Sequence, residues 1–209
     1  MKILIGDDHS VVRRGLKMII LEEFPNALIQ EAIDGADVLK MLDDQPWDII
    51  ISDISMPGRS GVEIIKLIKE LAPKIPILVL SVHAAEHYAV RTLKVGASGY
   101  LTKGSAPEEL VKAIKQIVSG RRYITPDIAD LLVDQQGGLQ DDNSLHKQLS
   151  NREFEVMKMI AEGKKVSDIA DKLSLSINTI STYRARILEK MGMVSNAELI
   201  KYVMVNGLI

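Results

Sequence analysis

Asp7 and Asp8 follow the apolar run Lys2–Gly6 (KILIG), Asp53 follows Asp48–Ser52 (DIIIS), Ser81 follows Pro76–Leu80 (PILVL), and Lys103 follows Ser98–Leu101. Carboxylates gathered in one small volume repel unless something positive stands among them. Their type suits a hard, oxygen-seeking cation, Mg²⁺ or Mn²⁺ in its place, held by carboxylates, a backbone carbonyl and waters. No pair among the four histidines has ligand spacing, which argues against zinc, and the absence of cysteine excludes disulfides, thiolate metal sites and cysteine nucleophiles. With its charge screened, Asp53 could attack phosphorus and form an acyl phosphate. Lys103 would balance charge on the transferring group, and the Ser81 hydroxyl would donate a hydrogen bond to one of its oxygens. Taken singly these residues are ordinary: a helix cap, a loop acid, a turn serine, a solvated lysine. Their joint occurrence after successive apolar runs favours chemistry.

The elements that must position them alternate. The runs above are short, rich in Ile and Val, and apolar at nearly every position, as strands buried on both faces of a parallel sheet are. Ala27–Ala32 and Ser98–Leu101 are weaker strand candidates. Between them lie amphipathic stretches near Ser10–Glu22, Ala36–Asp43, Gly61–Leu71, Glu86–Val95 and Pro107–Ser119; in Gly61–Leu71 the residues Val62, Ile65 and Ile68 mark one helix face. Five strands alternating with five helices predict a doubly wound, flavodoxin-like α/β domain of order 2-1-3-4-5. The carboxyl edge of such a sheet is a crevice at the switch point between strands one and three, with strands about 4.8 Å apart, so Asp7, Asp8 and Asp53 should face one volume.

The remainder reads differently. Gly120 is placed to end the fifth helix, and Thr125-Pro126-Asp127 opens a short helix over about 126–136. Gly137–Ser144 (GGLQDDNS) lacks periodicity and reads as a flexible linker. From Leu149 onward four helices are expected, forming a small all-α domain. The first opens on a capping box at Ser150-Asn151-Arg152-Glu153 and ends at Gly163, and the others span Ser167–Leu173, Ile177–Met191 and Asn196–Val205. The second and third, joined by Ser174-Leu175-Ser176, form a helix-turn-helix. Met157, Met159 and Met191 fall in helical register as core filler, whereas His9, His83, His87 and His146 read as surface or capping residues.

The 209 residues carry a net charge of −2, but it is unevenly spread: −2 over 1–119, −3 over 120–146 and +3 over 147–209. An acidic front and a basic tail suit different partners. With 46% hydrophobic residues the chain is too apolar for disorder. No apolar run approaches the roughly 20 residues that span a bilayer, and MKILIGDD reaches its acids too early for a signal peptide. A soluble cytoplasmic protein without membrane partners is expected.

These motifs resemble a known pair of domains. Asp7-Asp8, Asp53-Ile54-Ser55-Met56-Pro57-Gly58, Gly61, Leu80-Ser81 and Gly99-Tyr100-Leu101-Thr102-Lys103 resemble, in order and spacing, the motifs of a bacterial response-regulator receiver domain. Leu149–Glu153 through Lys190-Met191-Gly192 resembles the LuxR-type DNA-binding domain. Together they are similar to a NarL/FixJ-type two-component regulator, with a receiver at 1–120, a linker at 121–147 and a DNA-binding domain at 148–209. The resemblance implies that Asp53 is phosphorylated and that Asp8, Asp53 and the Ser55 carbonyl hold Mg²⁺ directly, with Asp7 acting through water. Ser81 and Lys103 would contact the phosphoryl group, and Tyr100 would be an aromatic switch that turns inward. The phosphodonor would be a sensor histidine kinase or acetyl phosphate. Gly104 stands where the family commonly has proline, and Ser181 and Tyr183 where its recognition helix commonly has lysine and histidine.

Lys164, Lys165, Arg184, Arg186 and Lys190 are then candidates for DNA phosphates, and Asn178, Thr179, Ser181, Thr182 and Tyr183 for the major groove. Ile180, Ile187 and Leu188 read as helix core. The expected function is phosphorylation-gated transcription control, through dimerisation, unmasking of the recognition helix, or both. Its partners would be promoter DNA, a second copy of the chain on DNA, and RNA polymerase as a candidate. Two alternatives remain at this stage. A phosphotransferase is disfavoured because no second Asp lies two residues after Asp53; a phosphorylation-independent DNA-binding regulator with a vestigial receiver is disfavoured by the intact acid set.

Overall fold

The computed structural model describes residues 1–82, 85–105, 107–136 and 144–209. His83 and most of the expected linker, residues 137–143, lie outside the described residues, as does the side chain of His87. The chain forms two compact units, Met1–Leu139 and Gln140–Ile209.

In the first unit β1 (Lys2–Gly6), β2 (Leu28–Ala32), β3 (Ile49–Asp53), β4 (Ile77–Ser81) and β5 (Gly99–Thr102) form one parallel sheet of order β2-β1-β3-β4-β5. The helices are α1 (Ser10–Glu23), α2 (Gly35–Lys40), α3 (Gly61–Leu71), α4 (Ala85–Lys94), α5 (Pro107–Val118) and α6 (Pro126–Gln136). A 3-10 turn at Met41–Asp43 follows α2, so the second expected helix is shorter than its periodicity implied. β3 and β4 each extend one residue beyond their apolar runs and take Asp53 and Ser81 in as their final residues.

Alternate residues of each strand face opposite layers. Ile3, Ile5, Ile49, Ile51, Leu78, Leu80 and Leu101 share a core with Leu110, Ala113, Ile114 and Ile117 of α5 and Ile20 of α1. Leu4, Ile50, Val79 and Tyr100 take the other side and are also buried. Burying each of the Ile, Leu and Val side chains among these contributes roughly 1.5–3 kcal/mol relative to leaving it exposed. Rigid strands on both sides therefore fix the carboxyl edge where the polar residues sit.

The second unit contains a 3-10 turn at Leu145–Gln148 and helices α7 (Asn151–Ala161), α8 (Val166–Leu173), α9 (Ile177–Met191) and α10 (Asn196–Val205). The expected capping box is present: Glu153 N–H donates to Ser150 Oγ at 3.3 Å, and Ser150 N–H donates to Glu153 Oε2 at 2.7 Å. Ser174 ends α8 in the left-handed region at φ 54°, and this sharp turn redirects the chain into α9. Met157, Met159, Met191, Ile180 and Ile187 are buried, as expected, while Leu188 is half-buried. His146 is neither a free surface residue nor a cap. Its Nδ1 lies 2.9 Å from the Tyr202 hydroxyl and its ring packs near Phe154, because an imidazole offers both a flat apolar face and a polar edge. Among the described residues no helix is long and apolar enough to cross a membrane.

Candidate functional site

The carboxyl edge gathers the expected residues. Asp53, the last residue of β3, is 3% exposed, and Asp7, just past β1, is 1% exposed. Lys103, just past β5, sends Nζ to within 2.7 Å of Asp53 Oδ2 and 2.6 Å of Asp7 Oδ2. The first contact is a hydrogen bond. The second pairs charge without an aligned hydrogen bond, leaving Asp7 Oδ2 a buried oxygen with unfilled acceptor capacity. Ser55 N–H donates to Asp53 Oδ1 at 3.1 Å, and Arg13 Nη1 donates to the Asp7 carbonyl at 2.7 Å.

Asp8 is exposed beside them, and His9 Nδ1 lies 2.8 Å from Asp8 Oδ1 and 3.3 Å from Asp7 Oδ1. Asp7, Asp8, His9 and Asp53 each offer a ligand atom within 4.8 Å of the others. The cluster fits a divalent cation: the donors are mainly carboxylate oxygens, and one of them is a buried oxygen lacking a hydrogen bond. His9 is a member that sequence spacing did not single out, because one histidine beside acids has no pattern of its own.

Burial raises the Asp53 carboxyl above its ordinary value of 3.8, helped by the Asp7 charge, while Lys103 and the Ser55 amide oppose the rise. Burial works against the Lys103 ammonium too, but Asp53 and Asp7 outweigh it and hold its pKa above the usual lysine range. The site thus contains a partly desolvated carboxylate held against a firmly charged lysine. The backbone around it is tightly determined. A Cβ on Gly61, the first residue of α3, would stand 2.4 Å from the Ile54 carbonyl oxygen, so only glycine lets α3 begin against the loop after Asp53.

In the second unit α8 and α9 form the helix-turn-helix. Asn178, Ser181, Thr182 and Arg186 are exposed along α9; Thr179, Tyr183 and Arg184 are half-buried. The Thr182 hydroxyl donates back to the Asn178 carbonyl at 2.9 Å, and Thr179 Oγ1 lies 2.8 Å from Ser176 Oγ. Arg184 Nε donates to Asn196 Oδ1 at 2.7 Å, which ties α9 to the start of α10. Lys190 Nζ is 2.7 Å from Glu153 Oε2, and Lys164 Nζ is 2.6 Å from Glu162 Oε2, whereas Lys165 is exposed. The expected cationic set is therefore not one continuous surface of unengaged charge: Arg184, Lys190 and Lys164 are held by partners within their own unit.

Comparison with known proteins joins the two geometries. Residues 3–115 match the model of the response regulator receiver domain, and residues 147–203 match that of the bacterial regulatory proteins of the luxR family. The chain belongs to the NarL/FixJ-type response regulators. Among relatives of this regulator, the response regulator GacA of Pseudomonas aeruginosa is 36% identical over 208 residues, covering 100% of this chain and 97% of GacA. The oxygen regulatory protein NreC of Staphylococcus carnosus is 36% identical over 211 residues, covering 98% of this chain and 97% of NreC. A structure of RcsB from Salmonella enterica serovar Typhimurium, bound to promoter rprA in the presence of the phosphomimetic BeF3⁻, aligns with a TM-score of 0.66 at 29% identity over 98% of each chain.

Within the regulator, Ser81 is fully buried and its carbonyl accepts from Lys103 N–H at 2.7 Å, so the ends of β4 and β5 are locked beside Asp53. Tyr100 is 1% exposed: its ring is already inward in this structure. The sequence did not reveal that Lys103 engages both Asp7 and Asp53, since two partners so distant along the chain leave no local signature.

Proposed function

We propose that this regulator accepts a phosphoryl group on Asp53 and converts its presence into altered binding of promoter DNA by α8 and α9. The observation that carries the proposal is Lys103 Nζ lying between the buried Asp7 and Asp53 carboxylates, in a chain whose other unit is a LuxR-type helix-turn-helix. Asp53 is the nucleophile, and it needs no second acid because the acyl phosphate is the signal rather than an intermediate on the way to another product. Lys103 holds the anionic group by charge. The Ser81 hydroxyl stands at the end of the neighbouring strand to donate to it. Asp8, Asp53 and the Ser55 carbonyl would hold Mg²⁺ or Mn²⁺, with Asp7 acting through water. When bound, the ion supplies charge screening that lets an anionic donor approach.

Tyr100 reports the state of Ser81 from β5. A sensor histidine kinase is the donor, and acetyl phosphate can replace it. On DNA, Asn178, Ser181 and Thr182 are the exposed candidates for base edges, with the half-buried Thr179 and Tyr183 beside them. Lys165 and Arg186 contact phosphates, joined by Lys164, Arg184 and Lys190 when their internal pairs give way. One small helix-turn-helix makes few contacts, so a dimer on two half-sites is the expected form. RcsB, a structural relative, is known as dimers bound to DNA. The working boundaries are a receiver at 1–120, a linker at 121–147 and a DNA-binding domain at 148–209. The setting is the cytoplasm, and RNA polymerase is the partner after DNA.

Intact-protein mass after incubation with acetyl phosphate and Mg²⁺ tests the first half of this reading. Wild type should gain one phosphoryl group and Asp53→Asn none. If wild type forms no adduct and also fails to load beryllofluoride, the receiver is vestigial and the reading falls.

A further inference from the structure

His9 stands at the N-cap position of α1, with φ −92° and ψ 109°, where Ser, Thr, Asp or Asn commonly satisfies a free helix amide. Its imidazole makes no such bond, so the side chain does not cap the helix. The His9 backbone does serve α1: its carbonyl accepts from Arg13 N–H at 3.1 Å, while its own N–H donates to Asp7 Oδ1 at 2.8 Å. The ring turns to the acids instead, with Nδ1 2.8 Å from Asp8 Oδ1 and 3.3 Å from Asp7 Oδ1. The His9 side chain is 65% exposed, and an ion pair at such a surface contributes little to stability. Neither capping nor packing therefore accounts for this orientation.

The surrounding cluster supplies a reason. Asp7, Asp8 and Asp53 bring three carboxylates together, and Lys103, held between Asp7 and Asp53, supplies one positive charge. Arg13 is near, but its Nε is paired with Glu31 Oε2 at 3.0 Å. The excess negative charge suits a divalent cation, and the buried Asp7 Oδ2 keeps the unfilled acceptor capacity that such a site provides. An octahedral ion with bonds of about 2.1 Å holds adjacent ligands about 3.0 Å apart and opposite ones about 4.2 Å apart. The 2.8 Å between His9 Nδ1 and Asp8 Oδ1 matches adjacent positions. The four ligand atoms of Asp7, Asp8, His9 and Asp53 lie within 4.8 Å of one another, and rotation of the exposed Asp8 and His9 side chains takes up the small difference.

We infer that His9 is an imidazole ligand of the cation at the carboxyl edge, taking the place of a water beside Asp8 and Asp53, and that the site selects Mn²⁺ over Mg²⁺ in consequence. The inference rests on the reading of these acids as a divalent-cation site. Mg²⁺ is a hard ion that takes oxygen ligands and releases water reluctantly, so it gains little from a ring nitrogen. Mn²⁺ shares its preference for carboxylate, carbonyl and water, yet belongs to the first-row series whose ions bind mixed nitrogen and oxygen sites. The ring bonds through Nδ1 with its proton on Nε2, which adds a ligand without adding charge. Because His9 follows Asp7 and Asp8 directly, one turn between β1 and α1 carries all three groups. The ion that screens Asp53 is then set by which divalent ions are available, and not by Mg²⁺ alone.

Electron spin echo spectroscopy of Mn²⁺ bound to the full chain tests the inference, because a directly bonded nitrogen modulates the echo. Wild type should show nitrogen modulation, and His9→Ala and His9→Gln should lose it. Mn²⁺ bound without nitrogen modulation in wild type, or with modulation that persists in both variants, overturns the inference and leaves the cation reading standing. Mn²⁺ that fails to bind, or binds equally tightly to Asp53→Asn, overturns both. Calorimetric titration with Mn²⁺ and with Mg²⁺ supplies the second arm. In both His9 variants Mn²⁺ affinity should fall by about 10–100-fold, the scale on which groups around a metal act, and Mg²⁺ affinity by a clearly smaller factor. Equal factors for the two ions would overturn the selectivity, and with it the assignment of His9 as a ligand.

Discussion

Lys103 Nζ lies 2.7 Å from Asp53 Oδ2 and 2.6 Å from Asp7 Oδ2, so one cation from the end of β5 holds together two buried carboxylates from the ends of β3 and β1. Its charge is preformed where a transferred phosphoryl group would carry negative charge. Replacing it by Lys103→Ala should slow acyl phosphate formation from acetyl phosphate by roughly 10²–10³-fold, the scale on which a single preorganised electrostatic donor acts. Time-resolved intact mass checks this; an unchanged rate would remove Lys103 from the chemistry.

Asp53 carries a cost to the fold. Burial raises its carboxyl above 3.8, so the folded chain binds that proton more tightly than the unfolded one. The associated stability is present at acid pH and is lost as pH rises from 3.8 through the raised folded value. At neutral pH Asp53→Asn should therefore melt higher than wild type in the absence of divalent cations, by about 2–4 °C for each kcal/mol relieved. Mg²⁺ should raise the melting temperature of wild type and have less effect on the variant. Calorimetry with and without chelator decides; a variant that melts lower would mean that the lost Lys103 contact outweighs desolvation.

How much of this was legible in the sequence depended on range. Strands such as Ile49–Asp53 announce themselves by unbroken Ile and Val runs, and the capping box at Ser150 and Glu153 is written in adjacent residues. The edge at which Asp7, Asp53, Ser81 and Lys103 meet followed from strand order alone. What stayed hidden are contacts between residues far apart that follow no period: Lys190 on Glu153, His146 on Tyr202, Tyr123 on the β5 edge. The 3-10 turn after α2 was also missed, because Leu42 keeps the apolar spacing of a helix through a turn that has tightened.

Glu153 joins the start of α7 to the end of α9 through Lys190. Burial pushes its carboxyl up, but Lys190 and the Ser150 donors prevail and hold it below 4.5. Its contribution is complete above pH 4.5 and is lost as pH falls through the lowered folded value. Glu153→Gln should destabilise the unit by about 1 kcal/mol at neutral pH, as loss of a helix cap does, and should flatten its acid limb. Exchange of α7 amides in the full chain, followed from neutral pH into the acid range, would show this; an unchanged limb would assign the acid sensitivity elsewhere.

The cations of α9 should separate by function. Arg186 is exposed, so Arg186→Ala should weaken binding to all DNA sequences alike and reduce the salt slope by about one. Lys190 is engaged with Glu153, so Lys190→Ala should cost stability first and alter the salt slope less. Binding titrations at several salt concentrations, paired with thermal melts, distinguish the two; equal slopes for both variants would contradict the division.

The most direct test of the central claim is the affinity of the full chain for promoter DNA with and without beryllofluoride and Mg²⁺, in wild type and in Asp53→Asn. The account predicts that wild-type affinity changes by at least about 5-fold, the lower range of a coupling between two sites, and that the Asp53→Asn variant shows no change. Equal wild-type affinity in both conditions, with beryllofluoride shown to occupy Asp53, would contradict it, because the two units would then work without reference to one another.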